Sequence, residues 1–322
     1  MNYVLQNNES IFLLEGDNLM KILKFIGIII FSILCVGVMF ISEHKSWVTI
    51  GSITGIFLGL AIPEIKSLAE DLTDNTNWKT SQRKLLRGDI VKKDSIVRIS
   101  FAYLFRIKVG NKYLLVKNER NTGKYQPVGG VYKFTENEKM ELKNKFHVID
   151  DDRIPIDKSS KDDYRLQLEN RYLKKFIKRF DKKANRESID NLSREFIEEL
   201  IDKEIVNWNQ INYRVCGRHI TNLEFSQHFQ IYEILLADIV ELLPTKDQEI
   251  DLKKLAENSS DLYKFADAYE INSLGVDPKN KKLQESIATH TKKILQENEG
   301  NLCKLPEQGK CYRVNIIDSN VE

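Results

Sequence analysis

Proline and glycine are scarce, with six and fifteen among 322 residues, which argues against a repetitive or linker-rich chain. Only four cysteines occur (Cys35, Cys216, Cys303 and Cys311), and no two form a C-x-x-C pair. That spacing excludes a zinc knuckle or a disulfide framework, and reduced thiols suit a cytosol-facing domain. Neither sign of charge dominates: 49 Lys and Arg stand against 47 Asp and Glu, a net charge of +2. A near-neutral balance gives no footing for general nucleic-acid binding, so no DNA partner is expected. The chain lacks a G-x-x-x-x-G-K-[ST] loop, a G-x-S-x-G elbow and an H-E-x-x-H pair, and it shows no internal repeat. Its five histidines (His44, His147, His219, His228 and His290) have no metal-ligand spacing and read as core or surface residues.

What is present is unevenly distributed. Residues 22–42 form an apolar run with one charge, Lys24, and 47–63 form a second run with none. The first rises about 31 Å as a helix, close to the hydrocarbon thickness of a bilayer. The second is near the lower limit for a span. The first run is too long for a signal-peptide core, and no A-x-A site follows it. The pattern predicts a transmembrane hairpin over 22–63 after an N-terminal segment 1–21. Lys21, Lys24 and Lys66 flank the shared side, which places the large C-terminal part in the cytoplasm of a two-pass inner-membrane protein. Gly51, Gly55 and Gly59 recur at i, i+4 and i+8 in the second run. They form a groove for close helix packing, either with the first run or with another chain as a homo-oligomer.

A polar juxtamembrane stretch, 64–94, reads as helical. Residues 95–109 and 113–117 are strand-like around the turn Gly110-Asn111-Lys112, and Lys124–Val131 reads KYQPVGGV. Residues 132–185 read as an insertion. Within it Tyr172, Leu173, Phe176, Ile177 and Phe180 recur at helical spacing opposite Lys174, Lys175, Lys178, Arg179 and Lys182. This helix is either core-facing with a solvated basic side or a surface for membrane or polyphosphate. Residues 213–220 and 225–236 are strand-like. The tail from 247 to 300 reads as mostly helical, with Leu252, Leu255, Leu262, Tyr263 and Phe265 as core candidates.

Ser193–Leu200 reads SREFIEEL. At about 100° per residue from Glu195, Glu199 falls near 40° and Glu198 near −60°, with the apolar residues opposite. Three carboxylates on one face are hard oxygen donors of the kind Mg²⁺ or Mn²⁺ takes. The same pattern also describes an exposed acidic face compensated by Arg194 or solvent.

Arg194-Glu195-Phe196-Ile197-Glu198-Glu199 resembles the R-E-U-x-E-E core of the Nudix box, and Pro127-Val128-Gly129-Gly130 resembles the P-G-G before it. The resemblance implies an α/β fold, a Nudix-like αβα sandwich over 95–322 with the long insertion. It implies that Glu195, Glu198 and Glu199 hold a divalent metal in a hydrolase, with Arg194 orienting them. Two features depart from the box. More than 60 residues separate Gly130 from Arg194, and Arg186 stands where an early Glu is expected, with Glu187 one place off. The box-closing glycine is absent.

Two apolar runs, the hairpin, PVGG, a long insert and REFIEEL together resemble the membrane-anchored, divergent Nudix-like effectors of bacterial CBASS anti-phage systems. That resemblance implies a cytoplasmic domain that binds a cyclic di- or trinucleotide. It implies spans that oligomerise in the lipid bilayer and damage it in abortive infection, with no catalytic residue and no required cofactor. The alternative is a membrane-tethered Nudix hydrolase of nucleoside diphosphate derivatives using Glu195, Glu198 and Glu199.

Overall fold

The computed structural model describes residues 78–118, 123–154, 160–182, 184–258, 260–276 and 286–316, together with 23, 25–37 and some positions between 55 and 65. The chain divides into two compact units, Met1–Thr80 and Ser81–Glu322.

The first unit corrects the membrane reading. Among the described residues no helix is long and apolar enough to cross a membrane. The transmembrane hairpin over 22–63 and the two-pass inner-membrane placement are therefore not supported. Gly51 lies outside the described residues. Among the described residues, a Cβ built on Gly59 would meet nothing within 4 Å.

The second unit is a mixed α/β domain. A helix α1, Trp78–Arg87, leads into β1, Ile96–Arg106. There follow β2 (Lys108–Val109), β3 (Lys112–Lys117), β4 (Tyr125–Gln126) and β5 (Gly129–Val131). Next come α2 (Glu136–Phe146), β6 (Ile149–Asp150), β7 (Arg165–Glu169) and α3 (Leu173–Lys182). The box residues form α4, Arg194–Phe196, which continues as a π-helix over Ile197–Ile201. The chain closes with β8 (Gln210–Ile220), β9 (Glu224–Ser226), β10 (Ile231–Leu242), α5 (Lys246–Glu257), β11 (Tyr263–Asp267), α6 (Ala268–Asn272) and β12 (Cys311–Asn315).

The larger sheet has the order β12-β8-β10-β1-β7-β6, with β5 also pairing β1 and β9 pairing β10. β1 and β10 are its parallel centre, in register from Arg98 opposite Glu233 to Arg106 opposite Glu241. The other edge of β1 is shared: β7 pairs with residues 96–100 and β5 with residues 102–104. A smaller sheet, β11-β3-β2 with β4 on β3, stands beside it.

Alternation along β1 divides its side chains between two faces. Phe101, Tyr103 and Phe105 face an aromatic core. Phe101 meets Phe180 at 4.8 Å between ring centroids, and Phe105 meets Phe196 at 5.6 Å and Tyr213 at 5.7 Å. α3 buries Leu173, Phe176, Ile177 and Phe180 and leaves Lys174, Lys175 and Lys178 exposed. This is the core-facing alternative for the basic helix. The stretch 132–185 is not an appendage, because β7 and α3 complete the sheet and its core.

The tail departs from the helical expectation after Glu257. Tyr263 and Phe265 lie on β11, paired to β3, and Tyr263 is buried. The strand expected over 225–236 is broken, with β9 ending at Ser226 and β10 starting at Ile231.

Arg106, with no exposed surface, sits on the opposite face of β1 from Phe105. Its Nε donates to Ile294 O at 2.5 Å, Nη2 donates to Leu295 O at 3.3 Å, and Nη1 pairs with Glu299. It thereby ties down the 3₁₀ segments Thr289–Ile294 and Gln296–Asn301. Arg106→Met keeps the apolar stem but leaves those carbonyls without their donor, at about 1–3 kcal/mol for each buried acceptor. Amide hydrogen exchange across 289–301 is expected to accelerate. Unchanged protection there would show that other contacts hold the segment.

Candidate functional site

The PVGG loop and the box helix meet, although 63 residues lie between Gly130 and Arg194 in the chain. β1 brings them together. Gly129 and Gly130 pair with Leu104 and Tyr103 on the edge that β7 leaves free. Gly129 has φ +146°, and a Cβ there would stand 2.3 Å from the Tyr103 carbonyl oxygen. A Cβ on Gly130 would stand 1.9 Å from Glu195 Oε1. The two glycines serve different contacts, the first with backbone and the second with the box carboxylate.

Arg194 organises the acids. Its Nη1 reaches Glu195 Oε1 at 2.5 Å and lies 3.6 Å from Glu198 Oε1. Its Nη2 donates to Val131 O at 2.9 Å and reaches Glu187 Oε2 at 3.2 Å. Glu187 also accepts from Tyr103 Oη at 2.9 Å and from the Lys133 amide at 3.3 Å. A carboxylate near the expected early position does face Arg194, but it is Glu187. Arg186 instead lies over the rings of Phe180, at 3.9 Å, and Tyr132, at 4.5 Å.

The helix is not wound as the sequence suggested. From Ile197 to Ile201 it is a π-helix, with the Asp202 amide donating to Ile197 O at 2.9 Å. The wider turn alters the angular spacing of Glu198 and Glu199 relative to an α-helix; such turns recur at functional sites. Glu199 is directed at the loop. Its Oε2 accepts from the Gly129 amide at 2.9 Å and its Oε1 from Gln126 Nε2 at 3.4 Å. Burial, reinforced by the neighbouring Glu195, pushes the Glu199 carboxyl up to about 8, against the Gly129 amide and Lys203, which lower it.

Glu195, Glu198 and Glu199 all line one cleft, but they do not form a metal centre. Among the described residues no group of three or more His, Cys, Asp or Glu is placed to hold a metal ion. The donor set explains this. Glu195 is held by Arg194, and Glu199 is turned to a backbone amide and a side-chain amide. This arrangement of side chains does not fit a resident Mg²⁺ or Mn²⁺.

The cleft itself encloses about 830 Å³, in the upper part of the range of about 300–1,000 Å³ for small-molecule sites. Its floor comes from the second face of β1 (Ser100, Ala102 and Leu104) and from Ala237 on β10. Small side chains leave the space open. The walls carry Gly129, Gly130 and the three box glutamates, and also Lys117, Lys203, His290 and Lys293. Sequence reasoning missed the lysines, which sit in segments with no motif, and read His290 only as a core or surface residue.

A family model described as the SMODS-associated NUDIX domain matches residues 96–295, more than half of the chain. The chain belongs to that family. The match runs from the first residue of β1 to Leu295, and so takes in the glycine loop, the box helix and the cleft. Membership of the SMODS-associated NUDIX family supports a Nudix-like effector in the CBASS setting. No curated protein and no solved structure matches the chain.

Proposed function

We propose that the SMODS-associated NUDIX domain of this chain is a sensor: its cleft binds a cyclic di- or trinucleotide second messenger and does not turn it over. The observation that carries the reading is the state of the box carboxylates. Arg194 is ion-paired with Glu195, and Glu199 is turned to the Gly129 amide, so the cleft beside them accepts an anionic ligand without a bridging cation. Its volume suits a ligand larger than a mononucleotide. Hydrolysis requires a water and a cation placed to within a fraction of an ångström, and small misplacement is costly for catalysis. Carboxylates tied to Arg194 and Gly129 favour retention of the ligand. Occupancy drives a homo-oligomer only as far as the ligand prefers the assembled form.

The test uses the full chain with a panel of cyclic di- and trinucleotides, by thermal shift and calorimetry, with light scattering for self-association. Saturable binding of at least one compound, recovered intact by chromatography after incubation with Mg²⁺ or Mn²⁺, is the expected result. Multiple-turnover hydrolysis of a nucleoside diphosphate derivative, abolished by Glu198→Gln with Glu199→Gln, would establish the hydrolase instead.

A further inference from the structure

The charged groups lining the cleft are unequally satisfied. Arg165 is paired with Asp163 at 3.4 Å, and Glu195 with Arg194 at 2.5 Å. Lys203 and Lys293 form no ion pair among the described residues. Among the described residues Lys203 Nζ reaches the Lys117 carbonyl, at 3.5 Å, and its charge acts on Glu199. Lys293 is half-buried, and burial holds its ammonium below the ordinary lysine range, with Glu233 and Glu224 pulling weakly the other way. Desolvating a cation without a partner is costly, and such a group is a ready acceptor for an anion.

The two lysines line the same cleft from different elements. Lys203 follows the π-turn whose Glu199 is bonded to Gly129 on β5. The Lys293 carbonyl accepts from His219 Nε2 on β8 at 3.0 Å. In the sheet the order is β8-β10-β1, with β5 on the far edge of β1. Lys203 thus lies by the smaller sheet, at the Lys117 carbonyl, and Lys293 lies by β10 and β9, in electrostatic reach of Glu233 and Glu224. Between them lies the small, mainly apolar floor of Ala102, Leu104 and Ala237. His290 lies three residues before Lys293 in a 3₁₀ segment, where i and i+3 side chains eclipse, so it stands on the same face.

Resting on the sensor reading above, we infer that Lys203 and Lys293 are two separate phosphate posts. Each meets one phosphodiester of a cyclic oligonucleotide whose base faces lie on the apolar floor between them, and His290 contributes a polar group at the Lys293 end. The ligand class is therefore one carrying at least two anionic groups, one for each lysine.

The experiment takes the cyclic oligonucleotide that binds the wild-type full chain and measures its affinity for Lys203→Met, Lys293→Met and the double variant. Each single change is expected to weaken binding about tenfold or more and the double about a hundredfold, since well-separated sites act additively. Lys293→Met is expected to melt no lower than wild type, because an apolar isostere replaces an unpaired, desolvated cation. With 3′,5′-cyclic AMP, which has one phosphate, only one of the two single variants is expected to weaken whatever binding occurs. Wild-type affinity for the cyclic oligonucleotide in either single variant overturns this assignment and leaves the sensor reading standing. Weakened binding that tracks a lowered melting temperature also overturns it, in favour of a structural role. Failure of the wild-type chain to bind any compound of the panel overturns the sensor reading and this assignment together.

Discussion

Gly129→Ala is expected to destabilise the domain by about 3 kcal/mol or more, since it combines a strained backbone with a collision that cannot relax. Its φ of +146° lies where L side chains rarely go, and the added Cβ would stand 2.3 Å from the Tyr103 carbonyl oxygen and 3.0 Å from Leu104 Cα. Both neighbours are backbone of β1, held between β10 and β5, so neither can yield without breaking the sheet. Gly110→Ala is the control. Gly110 also has positive φ, at +58°, but a Cβ there meets nothing within 4 Å. It carries only the left-handed backbone cost of about 1–2 kcal/mol. Urea denaturation of the two variants separates the contributions. Equal losses would mean that the approach of loop to strand carries no energetic weight. The Gly129 amide also holds Glu199, so the same variant is expected to disorder the box end of the cleft.

Asp238→Ala is expected to cost about 3–5 kcal/mol, the range for a buried ion pair deprived of one partner. Asp238 has no exposed surface. Its Oδ1 accepts from Arg218 Nε at 2.5 Å, and its Oδ2 accepts from Arg218 Nη2 at 3.0 Å and from Tyr132 Oη at 2.8 Å. Without it the buried Arg218 guanidinium retains only Asp181, at 2.5 Å, and the Phe180 ring, and Tyr132 loses its acceptor in the core. The network lies beneath α3, on the face of the sheet that carries Phe101 and Tyr103, so its loss loosens α3 from the strands. Because the cost comes from the stranded cation, Arg218→Met combined with Asp238→Leu is expected to recover most of the lost stability. Thermal and chemical unfolding of the single and double variants form the cycle. A double variant as unstable as Asp238→Ala would show that the network is worth more than an apolar replacement of the same volume.

Particular residues show how much could be read from the chain in advance. β1 was evident because alternating aromatic and β-branched residues suit a strand in any context. α3 was evident because Leu173, Phe176, Ile177 and Phe180 recur at helical period. The tail was misread at Tyr263 and Phe265, since a short apolar run between polar segments has no period to separate strand from helix. There the pairing of β11 with β3 decides. The apolar runs at 22–42 and 47–63 satisfied a hydropathy count, yet among the described residues no helix is long and apolar enough to cross a membrane.

The box separates the two levels most clearly. Composition left the acidic face open to two readings, and the resemblance to the Nudix box was what singled out Arg194, Glu195, Glu198, Glu199, Gly129 and Gly130. That Glu187 takes the place facing Arg194, that residues 197–201 wind as a π-helix, and that Lys203 and Lys293 enter the same cleft were decided only by tertiary structure. Those facts depend on pairing between strands distant in sequence. β1 carries β5 and β7 on one edge and β10 on the other, and that arrangement alone brings the loop at 129, the helix at 194 and the turn at 293 around one floor. A lysine in an ordinary polar segment carries no signal of its own. It becomes informative once the sheet has brought it to a cleft without a direct ion-pair partner among the described residues.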